Sequence, residues 1–123
     1  MDFSIQSSRP IWQQLTEHLQ RRIVTGVYPA GSRFPAVREL ASEAGVNPNT
    51  MQRAMAQLEA DGLVITNRTA GRTVTDREEV LSEKRELLAL ERTKDYLREL
   101  KALGFSAAEA AELIRREGEE NGD

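Results

Sequence analysis

The 123-residue chain contains no cysteine, which excludes disulfides, thiolate metal sites and a cysteine nucleophile. It also lacks an apolar run of about 18 residues and a charged start followed by an apolar stretch, so neither a membrane span nor a secretory signal is expected. The chain has one histidine, and it has neither a glycine-rich phosphate loop nor clustered carboxylates. The residue patterns of common catalytic sites are therefore missing. We therefore expect a cytoplasmic protein without catalytic residues, metal or other cofactors.

Lysine is missing from the first 75 residues, and charge is divided unevenly along the chain. Residues 1–75 hold eight arginines against six acidic residues, a net charge of +2, whereas residues 76–123 hold nine basic against fourteen acidic residues, a net charge of −5. Together these give the formal net charge of −3. The asymmetry predicts a mildly basic domain, residues 1–75, followed by an acidic region, residues 76–123.

The basic domain begins with two predicted helices. In RPIWQQLTEHLQRRIVTG, apolar residues recur every four positions from Ile11 to Ile23, after a proline at the start and before Gly26 as a C-terminal cap. The segment AVRELASEAG has a short apolar face and ends at Gly45, which predicts a second helix of about ten residues.

The stretch GVNPNTMQRA predicts the start of a third helix with a polar outer face. Asn47 is a favourable N-cap, and Pro48 falls at the first helical position, where a missing N–H costs nothing. The first turn and a half carries four hydrogen-bonding side chains with one charge among them: Asn49, Thr50, Gln52 and Arg53. Two helices joined by a tight, glycine-containing turn form a helix-turn-helix.

After the third helix the apolar pattern changes to a period of two, which predicts a β-hairpin. Its strands are expected at residues 63–66 and 72–75 and its turn at residues 67–71, so that Arg68 and Arg72 lie at the tip. Three helices followed by a hairpin form a winged helix-turn-helix, whose second motif helix enters the DNA major groove. The predicted fold class is mainly α with a small β-hairpin.

The acidic region predicts a long helix that ends near Gly104 and a second helix opened by a capping box, Ser106 with Glu109. Two such helices cannot enclose a core, so their leucines must be buried against another surface. The wing domain could supply it, but a second protomer offers a larger and symmetric one. The residues expected in this dimer interface are Leu87, Leu90, Leu97, Leu100 and Leu113.

The stretches YPAGSRFPAVRELA and GVNPNTMQRAMAQLEADGLV, together with the wing, resemble the GntR transcriptional regulators over roughly residues 10–75. The helical tail resembles the YtrA-type branch, in which a helix pair dimerises in place of a large ligand-binding domain. The resemblance implies that Arg38 reaches a base edge, that Thr50 contacts phosphate and that Gly71 lets the wing backbone approach the minor groove. It also implies DNA-facing positions on the third helix, namely Asn47, Asn49, Gln52 and Arg53.

Two departures from the GntR pattern are expected to remove phosphate contacts. The family usually has serine where Ala36 stands and a Gly-Lys pair where Thr69 and Ala70 stand. Structural alternatives also remain for the assigned residues. Arg38 can pair with a neighbouring Glu39 or Glu43. Asn47 can serve only as a cap, and the residues after it can form an ordinary polar face.

These observations favour a homodimeric, sequence-specific regulator of double-stranded DNA, a repressor in preference to an activator. A sequence-tolerant architectural DNA binder is the alternative, but the low net basicity speaks against it. The tail is expected to lack a drug-sized pocket of about 300 Å³ within one chain. Any small-molecule effector is therefore expected at the dimer or interdomain interface.

Overall fold

The computed structural model describes residue 3, residues 5–69 and residues 71–122. The elements, in chain order, are α1 (Ile11–Val24), α2 (Val37–Ala44), α3 (Pro48–Ala60), β1 (Val64–Asn67), β2 (Gly71–Val74), α4 (Glu78–Ala102) and α5 (Ala107–Glu120). One compact unit runs to Arg85, and a second begins at Glu86, so the division falls within α4. No helix in the described part of the chain is both long and apolar enough to cross a membrane.

The turn between α2 and α3 confirms the helix-turn-helix predicted from the sequence. Gly45 ends α2 with φ of 69°, a left-handed conformation that glycine adopts without a Cβ clash. The side-chain oxygen of Asn47 accepts a hydrogen bond from the backbone N–H of Asn49 at 2.7 Å, and Pro48 is the first residue of α3. The start of α3 is therefore fixed by its own sequence.

The start of α2 gives a first prediction. Ala36 is the N-cap of this helix and offers no side-chain hydrogen bond to the first turn. Ala36→Ser supplies the missing acceptor, so the free energy of unfolding should rise by about 0.5–2 kcal/mol. Chemical denaturation measures it, with Ala30→Ser in the preceding loop as a control. An unchanged midpoint would show that a serine hydroxyl does not cap this helix.

Helix α3 lies at the centre of the first unit and packs against both α1 and α2. Its inward face is fully buried and forms one cluster with the apolar faces of the two neighbours. The buried residues that α1, α2 and α3 contribute to this cluster are Leu15, Leu19, Ile23, Leu40, Ala41, Met51, Ala54, Met55 and Leu58. Because this face is packed, α3 can present only its opposite face to a ligand.

Strands β1 and β2 form the predicted antiparallel hairpin, each displaced by one residue from its expected bounds, with Val64 opposite Val74 and Asn67 opposite Gly71. Residues 31–34, expected as a loop, pair with the free edge of β2. The N–H of Phe34 donates to the carbonyl of Arg72 at 2.8 Å, and the N–H of Val74 donates to the carbonyl of Ser32 at 2.9 Å. The wing is therefore supported by backbone hydrogen bonds on both sides of β2.

The first two turns of α4 belong to the first unit. Leu81 joins the apolar cluster, and Lys84 lies 3.8 Å from the carboxylate of Asp61 at the end of α3. The same carboxylate accepts hydrogen bonds from the side-chain amides of Gln20 on α1 and Gln57 on α3, each at 2.9 Å. These contacts explain why the compact unit extends past the charge boundary at residue 75.

Arg22 on α1 is a buried cation that the periodicity of the chain does not predict. It is 2% exposed, and its Nη1 donates to the Tyr28 hydroxyl at 2.6 Å and to the Glu43 carboxylate at 3.1 Å. Phe3 covers the guanidinium at 4.2 Å. Burial opposes the charged form, but these hydrogen bonds hold the pKa of Arg22 above its ordinary value. The cation joins α1 to α2 and to the loop between them.

The second unit contains the predicted helical hairpin. The chain leaves α4 through Gly104, with the N–H of Phe105 donating to the carbonyl of Leu100 at 3.0 Å. The predicted capping box is formed: Ser106 Oγ accepts from the N–H of Glu109 at 3.1 Å, and the N–H of Ser106 donates to the Glu109 carboxylate at 2.9 Å. The Ser106 backbone N–H, which donates to the Glu109 carboxylate, and the nearby Ser106 hydroxyl lower the pKa of Glu109.

Candidate nucleic-acid interface

The outer face of α3 presents the polar side chains that the sequence predicted there. Asn49, Gln52 and Arg53 are exposed, whereas Thr50 is half-buried at the edge of the apolar face. The side-chain oxygen of Asn47 is engaged in the cap, so its NH₂ group is the part that can reach a partner. The Arg53 guanidinium lies 4.2 Å from the centre of the Trp12 ring on α1, a contact that sequence reasoning missed.

Arg38 lies exposed on α2, one helix away from this face. The alternative pairing with Glu43 is wrong, because Glu43 binds Arg22 at 3.1 Å instead. Among the described residues Arg38 has no carboxylate within ion-pair distance, Glu39 included. Its five N–H donors therefore stay available to an external acceptor such as a guanine edge or a phosphate.

The two arginines that were expected at the tip of the wing lie in different places. Arg68 lies exposed in the turn, and Gly71 opens β2 with φ of 75°. Arg72 lies within β2, directly opposite Thr66, and is half-buried. The expectation that Arg72 lies at the tip is wrong, because its pairing with Thr66 places it one residue pair back from the turn. Alternate strand residues share a face, so its side chain lies on the same side as the buried Val74. Ala70 lies outside the described residues.

A single carboxylate joins the wing to α3. Glu59 accepts the Arg72 Nε–H at 2.9 Å through one oxygen and the Thr66 hydroxyl at 2.9 Å through the other. Both strands of the hairpin are thereby attached to the helix that carries Gln52 and Arg53. The remaining guanidinium N–H groups of Arg72 can still donate to a phosphate, so its predicted DNA contact is compatible with this ion pair.

Arg33 is an exposed cation beside the wing that the sequence pattern does not predict, because residues 31–34 are expected as a loop. Arg33 is paired with Thr73 across the free edge of β2. The backbone hydrogen bonds are made by the flanking residues, so Arg33 and Thr73 form a non-hydrogen-bonded antiparallel pair. The two side chains therefore share the outer face of the sheet. Gly31, Arg33, Thr69, Gly71 and Thr73 line a concavity of about 540 Å³ there.

The two wing arginines give a second prediction. Arg68→Ala should weaken binding to all DNA sequences alike and lower the log–log salt slope by about 0.9, since it removes one expected phosphate contact, without changing stability. Arg72→Ala should in addition destabilise the fold by up to about 1 kcal/mol, since it removes a half-exposed ion pair. Binding titrations at several salt concentrations, with thermal melts, separate the two effects. Equal melting losses in both variants would contradict this assignment.

The leucines proposed for dimerisation lie in α4 and α5 and keep part of their surface exposed in the single chain. Leu87 and Leu90 are 47% and 48% exposed, and Leu97, Leu100 and Leu113 are half-buried. A groove of about 620 Å³ runs between the C-terminal part of α4 and α5. Its lining consists of Arg92, Thr93, Tyr96, Leu113, Ile114, Glu117, Gly118 and Asn121. The expectation that the tail has no such space within one chain is therefore wrong.

A capped recognition helix with an exposed polar face, preceded by a short helix and followed by a β-hairpin wing, defines a winged helix-turn-helix DNA-binding protein. The family model of the bacterial regulatory proteins of the gntR family matches residues 12–74. The chain belongs to the GntR family, and it is a DNA-binding transcriptional regulator rather than an enzyme.

Similarity to individual proteins extends over most of the chain. The HTH-type transcriptional regulator YhcF of Bacillus subtilis is 34% identical over 115 residues, which cover 94% of this chain and 95% of that protein. A solved GntR family transcriptional regulator from Listeria monocytogenes has a TM-score of 0.83 at 31% identity, covering 91% of this chain and 98% of that one. The HTH-type transcriptional repressor YtrA of Bacillus subtilis is 34% identical over 70 residues, 57% of this chain and 54% of that protein. These similarities agree with the YtrA-type branch.

Proposed function

We propose that this protein is a homodimeric, sequence-specific transcriptional repressor that binds a two-fold symmetric operator in the cytoplasm. The observation that carries the proposal is the outer face of α3, where exposed amide and guanidinium groups follow a helix start fixed by Asn47 and Pro48. A short, rigid and polar helix start has the form that enters a DNA major groove. The apolar side of the same helix is buried, so this face has no role in the core.

Two side chains are proposed to recognise bases. Arg38 can donate two parallel hydrogen bonds to O6 and N7 of guanine, and Gln52 can pair with N6 and N7 of adenine. Asn49, Thr50 and the wing residues Arg68 and Gly71 are assigned to the backbone, where contacts fix register without carrying sequence information. This division makes the specificity of the protein depend on few positions.

Dimerisation through α4 and α5 is supported by the apolar surface of the second unit. Leu87 and Leu90 share one helical face with Leu97 and remain accessible in the single chain. The groove beside Leu113 and Ile114 is open and partly apolar. We assign both surfaces to a second copy of the chain, since a two-fold interface buries the same patch twice. Any small-molecule effector would then bind at the edge of that interface.

Repression is preferred to activation because the similar protein YtrA is a transcriptional repressor by its name. A dimer that occupies promoter DNA blocks polymerase without needing further surfaces. The second unit, which carries ten acidic against six basic residues and so a net charge of −4, is not assigned to DNA binding. It also keeps the whole chain from binding DNA through bulk charge alone, which favours sequence specificity over architectural binding.

Selection of bound duplexes from a random pool tests the proposal. The expected product is an inverted repeat, bound by a species of two chains in light scattering, that stops in vitro transcription when placed over a promoter. Recovery of no common sequence would favour the sequence-tolerant architectural binder. Recovery of an inverted repeat that raises transcription would keep the DNA-binding assignment and refute repression.

A further inference from the structure

A tryptophan on α1 contacts the arginine in the middle of the polar face of α3. The Arg53 Cζ lies 4.2 Å from the centre of the Trp12 ring, within the range of a cation–π contact. Trp12 stands in the first turn of α1 and is half-buried, and Arg53 is exposed. Within the described residues the Arg53 side chain forms no ion pair or hydrogen bond, so the aromatic ring is what orders its guanidinium.

This arrangement leaves the donors of Arg53 free. The N–H groups of a guanidinium lie in its plane, whereas the indole ring covers one face of that plane. Stacking on Trp12 therefore blocks none of the N–H donors of Arg53. An arginine that is already ordered also loses less conformational entropy when it binds. Because the ring lies on α1, it draws Arg53 toward that helix, while Gln52 projects about 100° away around α3.

We propose that Trp12 is a positioning residue for DNA binding: it holds Arg53 so that the guanidinium binds a backbone phosphate beside the base-contacting Gln52. The start of α1 thereby becomes part of the nucleic-acid interface. The proposal rests on the proposed function, because it needs α3 to approach DNA. It assigns to Arg53 a sequence-independent contact, since a guanidinium held at the α1 side of the helix is directed to the DNA backbone and not to the base edges.

A double-mutant cycle on a duplex carrying the selected sequence, and on a scrambled duplex of equal length, tests the coupling. Arg53→Gln should lower the log–log salt slope by about 0.9 on both duplexes. Trp12→Leu should weaken binding about two- to fivefold on both, with base preference kept, and Trp12→Phe should restore part of the affinity. In the Arg53→Gln background, Trp12→Leu should cause no further loss. An equal loss in both backgrounds would show a merely structural role for Trp12 and overturn the proposal.

Fluorescence provides a readout that does not depend on the stability of the tryptophan variants. Trp12 is the sole tryptophan of the chain, so tryptophan emission reports the surroundings of this ring. Arg53→Gln should shift the emission of the free protein, since it removes the cation from the face of the ring. Unchanged Trp12 emission in the free Arg53→Gln variant would refute the inference while leaving the regulator assignment intact. The absence of binding to any duplex would refute the proposed function itself.

Discussion

Replacing Leu87 and Leu90 by glutamate is expected to yield a folded monomer that binds its operator about 10²–10⁴-fold more weakly than the wild-type dimer. Both leucines are nearly half exposed in the single chain, so the substitutions remove little of its own packing. In a dimer each would place a carboxylate in an apolar interface without a partner, which is strongly unfavourable. Light scattering measures the mass, and far-UV circular dichroism verifies that α4 and α5 remain helical.

The loss of affinity follows from effective concentration and not from damage to the DNA-binding surface. When two chains are joined, the binding of one half-site turns the binding of the second into an intramolecular event. A monomer must bind each half-site independently, so its affinity for one half-site should equal that of the wild type. Binding to a duplex that contains one half-site measures this directly.

A second double variant is the control for the effect of the added negative charge. Ala102→Glu with Ala108→Glu adds the same two negative charges at exposed positions of α4 and α5. This variant should stay dimeric and retain the operator affinity of the wild type. If the leucine variant stayed dimeric, these leucines would lie outside the interface. If it became monomeric with unchanged operator affinity, dimerisation would have no part in DNA binding.

The helix-turn-helix could be predicted because its boundaries depend on residues adjacent in sequence. Gly45 can adopt the left-handed conformation that ends α2, and Asn47 followed by Pro48 supplies both a cap and the backbone angle for the start of α3. The capping box of α5 was predictable for the same reason, since Ser106 and Glu109 are three residues apart.

The face of β2 on which Arg72 lies could have been predicted from the sequence. Val74 and Arg72 are two residues apart on one strand, so they must share a face, and an apolar Val74 marks that face as the inner one. The identity of the acceptor could not have been obtained in this way. Glu59 is thirteen positions from Arg72 in the chain, and only the packing of the hairpin on α3 brings their side chains together.

Contacts between distant elements account for the other differences. Nothing in residues 31–34 alternates for long enough to predict a strand, and their pairing depends on the free edge of β2. The Trp12–Arg53 contact likewise requires the packing of α1 on α3. Arg22 sits among the apolar positions of α1 as a charged residue, and its burial depends on Glu43 and Tyr28 from other elements.

Gln52→Ala is expected to cost about 1–3 kcal/mol on the best operator and to relax preference at one base pair in each half-site. Gln52 is exposed and makes no side-chain contact that the fold requires among the described residues, so stability should not change. The substitution removes both hydrogen bonds of a proposed amide–adenine pair. Affinities for a set of single-base operator variants measure the effect. Thr25→Ala, at the exposed C-terminal end of α1, is the control and should leave all affinities unchanged.

Arg38→Ala should give a loss of similar size at a different base pair, because α2 and α3 reach different parts of the half-site. This variant also removes a charge, so Arg21→Ala, an exposed arginine of α1 outside the proposed interface, is its control. The base dependence of Gln52→Ala should survive at high salt, since an amide pair releases no counterions, whereas any phosphate contribution of Arg38 should diminish. If Gln52→Ala weakened every sequence equally while Arg68→Ala changed base preference, the wing would determine the sequence and α3 would contact only the backbone.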